Sequence, residues 1–243
     1  MRHAWKIFLL TTITSFGVVQ ADTPEDPSDT TTSRVNETLV TSLLGEPLRI
    51  AAPSQETLRK LAVARADYEA DPHNPDKLIW LGRRLAYAGE YGDAIKIFSK
   101  GIEAFPEDAR MYRHRGHRFI TVRDFERAIE DLEFASKLVA GKPDTIEPDG
   151  LPNALNIPIS SLQTNIWYHL GLAYYLQQDW KNAWRAFEAG FQAGNNDDNR
   201  VSTTHWRYMI LRRMEREKEA ASVVAGITPD MEIIENQIGR AHV

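Results

Sequence analysis

Two histidines, His114 and His117, lie three residues apart in a strongly basic stretch of the chain. On a helix this spacing puts both imidazoles on one face, and neutral imidazoles are common zinc ligands. His169 and His205 would have to approach from neighbouring helices to complete such a site. Arginines crowd the same stretch, and no carboxylate lies nearby to act as a ligand or to orient an imidazole. A metal site is therefore an alternative that we do not favour, and we expect no metal and no cofactor.

Histidine, tyrosine and arginine side chains in one place are also able to carry out acid–base chemistry. The sequence has no glycine-rich phosphate loop, no Gly-x-Ser-x-Gly turn and no His-Glu-x-x-His helix. Cysteine is absent, which excludes disulfides, thiolate metal sites and cysteine nucleophiles. The formal net charge of −5 disfavours non-specific nucleic-acid binding. These features favour a non-enzymatic role and no nucleic-acid partner.

The elements that must position these residues repeat along the chain. Small and apolar residues at Gly82, Ala94 and Phe98 recur 34 residues later as Gly116, Ala128 and Leu132. A third copy, with Gly171, Ala183 and Phe187, follows 55 residues after the second, which is one period plus 21 residues. A small residue on each helix of a pair lets the two helices approach closely, and stacking of pairs then buries a shared core.

A 34-residue period of paired helices resembles the tetratricopeptide repeat (TPR) family. The resemblance implies an all-α fold, a right-handed solenoid of antiparallel helix pairs. We expect repeats over about 75–108, 109–142 and 164–197, a degenerate fourth over 201–231, and an N-terminal capping helix, so that the solenoid spans 54–237. In such proteins the first helix of each pair lines the concave face.

The resemblance also implies which side chains face that groove. They are basic, aromatic or amide residues, with few acids among them, so the groove should be positive although the whole chain is acidic. The groove residues that we expect to bind a partner are Arg83, Tyr87, Arg110, Arg113, His114, His117, Asn165, Tyr168, His169, Tyr175, His205, Trp206 and Arg212.

Arginine and histidine beside aromatic rings suit a carboxylate or phosphate attached to an apolar body. Some TPR domains grip a peptide's terminal carboxylate on this face, and Arg83, Arg113, His117 and Asn165 are the candidates for a similar clamp. We therefore expect a protein or peptide partner with an acidic feature. The double substitution of Arg83 and Arg113 by Glu should abolish binding and leave folding intact. One alternative is binding or turnover of a small anion in a closed pocket around His117, Tyr168 and His169. Another is a structural scaffold that uses its ends or convex face.

Residues 143–163 interrupt the repeats with four prolines and several turn formers, which a helix cannot accommodate. The segment also contains Leu151, Leu155, Ile157 and Ile159, so we expect an ordered loop packed on the solenoid, as a lid in the small-anion alternative. We call residues 143–163 the insertion.

The ends of the chain carry other signals. Residues 1–21 have a positive start, a short apolar core and a Val-Gln-Ala cleavage site, which is typical of a secretory signal peptide. Export to the periplasm or secretion is the expected localisation, with no membrane span after cleavage. Residues 22–53 begin acidic and rich in Thr and Pro, and we expect a disordered linker there. Residues 238–243 match a translated sequencing adaptor, so we expect a non-native tail.

Overall fold

The computed structural model describes residues 38–41 and 44–235. It divides into two compact units, Met1–Ile50 and Ala51–Val243. The expected signal peptide at 1–21 and the expected tail at 238–243 both lie outside the described residues.

A short antiparallel pair of strands forms the described part of the first unit. Strand β1 (Thr38–Thr41) pairs with β2 (Pro47–Arg49), with Val40 opposite Leu48. Threonine and valine are branched at Cβ and favour extended backbone. The structure therefore differs from the expected linker over this part of residues 22–53.

Helices make up most of the described part of the second unit. They are α1 (Gln55–Ala70), α2 (Pro75–Tyr87), α3 (Tyr91–Ala104), α4 (Ala109–Thr121), α5 (Phe125–Val139), α6 (Leu162–Leu176), α7 (Trp180–Ala193), α8 (Asp197–Arg213) and α9 (Glu217–Val224). Each helix packs on the next along the chain, and α2, α4, α6 and α8 also contact one another in series. We call these four helices the inner layer. The all-α solenoid that the 34-residue period predicts is confirmed.

The inner helices begin at side chains that cap their free backbone N–H groups. Asn74, Asp108, Ser161 and Asn196 each accept a hydrogen bond from the first turn of the helix that follows. Pro75 occupies the first position of α2, where its missing N–H costs nothing. Local sequence thus sets where each inner helix starts.

Three glycines let paired helices touch. A Cβ on Gly82 would lie 2.5 Å from Phe98, one on Gly116 would lie 2.8 Å from Leu132, and one on Gly171 would lie 2.6 Å from Phe187. The three side chains that fill these places are fully buried. Ala94, Ala128 and Ala183 are fully buried on the facing helices as well. The recurring small residues are therefore the close-contact points of the core.

The turn between the helices of each pair has the same backbone conformation every time. Gly89, Arg123, Gln178 and Glu215 have positive φ angles of 83°, 63°, 62° and 60°. In the second pair, Asp124 N–H donates to Phe119 O and Arg123 N–H donates to Ile120 O. This is the Schellman motif, which pairs carbonyls that the helix end leaves open.

The insertion is ordered, but it is not held by the apolar contacts that the sequence suggested. The exposed fractions are 73% for Leu151, 63% for Leu155 and 48% for Ile157. Polar contacts hold it: Glu147 N–H donates to Ser160 O, and Asn196 donates to Ile159 O. The expected ordered loop is present, with Ile159 half-buried, and hydrogen bonds and one ion pair attach it to the helices.

The last described residues fold back onto α8. Both carboxylate oxygens of Asp198, which is 2% exposed, accept backbone N–H groups, from Ile234 and Glu235. Asn153 of the insertion also donates to the Glu235 carboxylate. Among the described residues, no helix has the length and apolar character needed to cross a bilayer.

Candidate functional site

Helix α4 carries the densest group of the expected groove residues, and the structure buries them. Arg113 is 9% exposed and His114 is 5% exposed. The His114 ring stacks on Phe98 of α3, with 5.3 Å between ring centroids. The expectation that Arg113 is an exposed side chain, which substitution would remove without harm to folding, is wrong. Arg113 lies on α4 with its guanidinium beneath the insertion.

A carboxylate from the insertion occupies the middle of this group. The Glu147 carboxylate lies 3.0 Å from the Arg113 guanidinium, and both side chains are 10% exposed. Asn165 of α6 donates a hydrogen bond to the same carboxylate oxygen. His114 Nε2 lies 3.6 Å from the other oxygen, which is a close electrostatic contact rather than a hydrogen bond. We call Arg113, His114 and Asn165 the carboxylate site.

Glu147 corrects the expectation that no acid lies near these histidines. Glu147 lies in the insertion, which lacks the recurring small and apolar residues of the repeats, so the repeat pattern assigned it no position on the inner layer. Pro148 favours extended backbone at the residue before it, and Ile146 pairs with Ser161 as an antiparallel bridge. The insertion therefore presents Glu147 from an extended strand-like segment.

The hydrogen bonds fix the form of two buried histidines. Arg113 Nη1 donates to His114 Nδ1 at 2.8 Å, so the His114 proton sits on Nε2, beside Glu147. Burial, reinforced by Arg113, holds the pKa of His114 well below its usual range. His169 Nδ1 lies 2.6 Å from the Asn165 carbonyl and donates to it. Burial and Arg113 lower the pKa of His169 to about 3.

His117 and His169 face each other, with 4.0 Å between ring centroids. Burial, followed by the neighbouring His169, holds the pKa of His117 well below its usual range. The three imidazoles are therefore neutral at pH 7, and the positive charge of the groove resides on its arginines. No group of three or more His, Cys, Asp or Glu residues within the described ranges is placed to hold a metal ion.

The insertion also covers the end of α2. Arg84 donates to the carbonyl of Gly150 at 3.1 Å. A Cβ on Gly150 would lie 1.9 Å from the Tyr87 hydroxyl and 2.8 Å from the Arg83 guanidinium. The backbone of the insertion thus lies directly against α2, and a side chain at residue 150 would have to displace the ends of Tyr87 and Arg83.

A cavity of about 110 Å³ lies among α2, α3 and α4 beside the carboxylate site. The residues that line it are Arg83, Ala86, Tyr87, Phe98, Arg113, His114, His117 and Arg118. His117 is the one residue of the expected His117–Tyr168–His169 pocket among them. Arg118 was not singled out in the sequence analysis, because the repeat register selected His117 at the neighbouring position.

Other expected groove residues have different surroundings. Arg110 is paired with Asp108 and Asp76, both at 2.6 Å. Arg212 is bonded to the Tyr208 hydroxyl at 3.1 Å.

The aromatic members of the expected set pack between α6, α7 and α8. The Trp206 indole donates to the Tyr168 hydroxyl at 3.2 Å and stacks on Phe187. Tyr175 meets the edge of Trp206, with 5.0 Å between ring centroids, and His205 lies 5.7 Å from the same ring. These aromatic residues form one cluster with the core of the third and fourth pairs.

Comparison with known proteins places the fold. No family model matches the sequence, and no curated protein is similar to it in sequence. Among solved structures, a crystal structure of MamA has a TM-score of 0.52 and 18% identity, over 68% of this chain and 82% of that one. MamA from Desulfovibrio magneticus RS-1 gives 0.53 and 17%, over 70% and 83%.

YrrB, described as a TPR protein with an unusual peptide-binding site, has a TM-score of 0.51 and 17% identity, over 68% of this chain and 73% of its own. Identity this low supports a statement about the fold and none about the activity. Together with the glycine contacts and the layered helix pairs, these similarities show that the chain has the tetratricopeptide-repeat fold.

Proposed function

We propose that this chain is a non-enzymatic protein-interaction scaffold whose inner layer binds a protein or peptide partner through a carboxylate. One observation carries the proposal: the carboxylate site already holds a carboxylate, that of Glu147. The partner's acidic side chain or terminal carboxylate would take the place of Glu147 between Arg113 and Asn165.

The insertion indicates how a peptide would lie on the inner layer. Its backbone is extended at Ile146, its acid reaches α4 and α6, and its Gly150 lies against α2. One short segment therefore contacts three successive inner helices. A partner of similar form would gain a charge-assisted bond to Arg113 and aromatic contact with Tyr87.

Two further features support this function. YrrB, which has the same fold, is described as having a peptide-binding site. Leu151 and Leu155 of the insertion are exposed, and exposed apolar residues beside a polar site are common in interaction surfaces.

The proposed location is outside the cytoplasm, in the cell envelope or the secreted space. This part of the proposal rests on residues 1–21, whose charged start and apolar core are typical of a signal peptide. Expression of the full chain in its source organism, followed by fractionation and N-terminal sequencing, tests it. A mature chain that starts near Asp22 is the expected result, and an intact cytoplasmic chain would contradict it.

The function is tested with a library of peptides that end in a free carboxylate, each paired with its amidated form, against the full chain. Glu147→Gln should bind the acidic peptides roughly tenfold more tightly than wild type, since a neutral resident competes less well; this corresponds to about 1.4 kcal/mol. Adding Arg113→Met should remove the preference for carboxylate over amide. Glu126→Gln, at an exposed position on α5, is the control.

Wild-type affinities are expected for Glu126→Gln. If the acidic and amidated peptides bind alike in every variant, the inner layer does not recognise a carboxylate. If the full library fails to bind Glu147→Gln while that variant remains folded, the proposed groove is not a peptide site.

A further inference from the structure

The cavity beside the carboxylate site has an unusual lining for its size. Three guanidinium groups, of Arg83, Arg113 and Arg118, border about 110 Å³, and no carboxylate is among the lining residues. The other polar groups that line it are the hydroxyl of Tyr87 and the imidazoles of His114 and His117. The charged side chains that line the cavity are therefore all arginines.

Among the described residues, one of these three arginines, Arg118, has no acid paired with it. Arg113 is paired with Glu147. Arg83 interacts with the charge of Asp149: burial raises the pKa of that carboxyl, and the Arg83 guanidinium opposes the rise. Arg118 has the Tyr91 ring as its nearest partner, 6.0 Å from the guanidinium carbon. Burial and Arg113 lower the pKa of Arg118 to about 10, so it stays charged at pH 7.

A second donor in the same place has no acceptor. The Arg113 side chain is nine-tenths buried, and its buried Nε makes no hydrogen bond in the structure. Leaving a buried donor of a charged group without a partner is costly. Arg113 also lines the cavity, so its guanidinium has hydrogen-bonding capacity that Glu147 does not use.

We propose that this cavity binds a small inorganic oxyanion of the phosphate or sulfate class, held by Arg83, Arg113 and Arg118. The oxyanion supplies acceptors in several directions, and its charge offsets the guanidinium that no carboxylate pairs with. Planar guanidinium groups match oxyanions with two parallel bonds. Neutral His117 adds a donor without adding charge.

The volume of the cavity limits the size of the ligand that fits inside it. A water molecule takes up about 30 Å³, so the cavity is equal to roughly three or four waters. This volume suits one tetrahedral oxyanion, whereas pockets that enclose larger ligands span roughly 300–1,000 Å³. The side chains of Arg83 and Tyr87 are half-buried, which leaves a route for the ion from solvent.

The test is a titration of the purified full chain with sodium phosphate, sodium sulfate and sodium chloride at matched ionic strength. Calorimetry and the ³¹P NMR line width measure binding. A rise in the unfolding temperature shows that the oxyanion binds the folded chain. Saturable binding of phosphate or sulfate at one site per chain is expected, with chloride giving neither heat nor a shift. Arg118→Met should weaken oxyanion binding by at least roughly tenfold.

Arg185→Met is the matched control, because Arg185 is exposed and bonded to Asn182; it should bind as wild type does. Two results would each overturn the proposal: no saturable oxyanion binding by wild type beyond the chloride control, or unchanged binding by Arg118→Met. The wild-type titration decides the matter even if Arg118→Met does not fold. The cavity shares Arg113 and His114 with the carboxylate site. Arg118→Met leaves Arg113, His114 and Asn165 in place, so a loss of oxyanion binding in that variant is distinguishable from a loss of peptide binding.

Discussion

At the scale of single residues, the Glu147–Arg113 contact decides how the inner layer is charged. Both side chains are 10% exposed, so neither is well solvated. Removing one partner of such a pair leaves a buried charge uncompensated, and this usually costs about 3–5 kcal/mol. The same contact that fills the groove should therefore also stabilise the fold.

We expect Glu147→Gln to lower the free energy of unfolding by several kcal/mol, about 3 or more, as measured by urea denaturation. Arg113→Met should also destabilise the chain, and the double variant should lose less than the two single variants together, because neither charge is then unpaired. The exposed pair of Arg59 and Glu56 is the control, and its loss should change stability little. If the double variant loses as much unfolding free energy as the two single variants together, Glu147 and Arg113 are not paired.

The buried histidines predict a pH dependence of stability. The pKa of His169 is about 3 in the folded chain and about 6.5 in an unfolded one. Between these values the unfolded chain binds a proton that the folded chain does not, so stability falls as the pH drops below about 6.5.

His114 and His117 act in the same direction. Each of the three should contribute a slope of up to about 1.4 kcal/mol per pH unit. Urea unfolding between pH 7.5 and 4.5 measures the slope, and His169→Gln should reduce it. A wild-type stability that stays constant from pH 7 to pH 5 would show that these imidazoles are not buried in the neutral form.

At the scale of the elements, the turn between paired helices is the position most sensitive to residue type. Gly89 has φ +83°, and a residue with a Cβ pays roughly 1–2 kcal/mol in that region. Gly89→Ala should thus destabilise the chain by about 1 kcal/mol. Arg123→Gly, at the equivalent turn of the next pair, should be neutral or stabilising.

Gly92→Ala provides the control for that prediction. Gly92 lies in the first turn of α3, and a Cβ there would meet nothing within 4 Å. Alanine favours a helix by up to about 1 kcal/mol over glycine, so this variant should be stabilised. Thermal melts of the three variants check the prediction, and it fails if Gly89→Ala and Gly92→Ala shift the melting temperature in the same direction.

The elements were predictable from the sequence where a period repeats and unpredictable where it does not. The positions of Gly82 and Phe98 recur at fixed spacing because each helix pair makes the same close contact in its core. The core residues could therefore be predicted from the sequence. Glu147 lies in a segment without period, and its partners are on two helices that the sequence does not bring near it. The exposure of Leu151 was also missed, because apolar residues predict burial only when the segment has a face to bury them against.

The surroundings of the charged residues were likewise only partly predictable from the sequence. Arg113 was expected in the groove, but its burial depends on the insertion above it. Arg110 was expected to bind a partner, yet it is paired with Asp76 of the previous repeat, a contact that depends on the rotation between pairs. Residue types alone therefore did not show which arginines are already paired with an acid.

At the scale of the whole molecule, the insertion is the part of the helical unit most open to attack. Leu155 is 63% exposed in a segment attached by few contacts. Chymotrypsin should cut first after Leu155, and the two halves should elute together by size exclusion, because helices α4, α5 and α6 pack across the cut. Leu155→Ser should delay the first cut. A first cut inside a helix, or halves that separate without denaturant, would contradict this organisation.

The central claim is that the inner layer contains a site for a carboxylate, and chemical rescue tests it most directly. Glu147→Ala empties the carboxylate site, and propionate is small enough to enter it. We expect propionate to raise the unfolding temperature of Glu147→Ala in a saturable way. Propionamide at the same concentration should not raise it, and propionate should not raise that of wild type. Equal effects of propionate and propionamide on Glu147→Ala would contradict the claim.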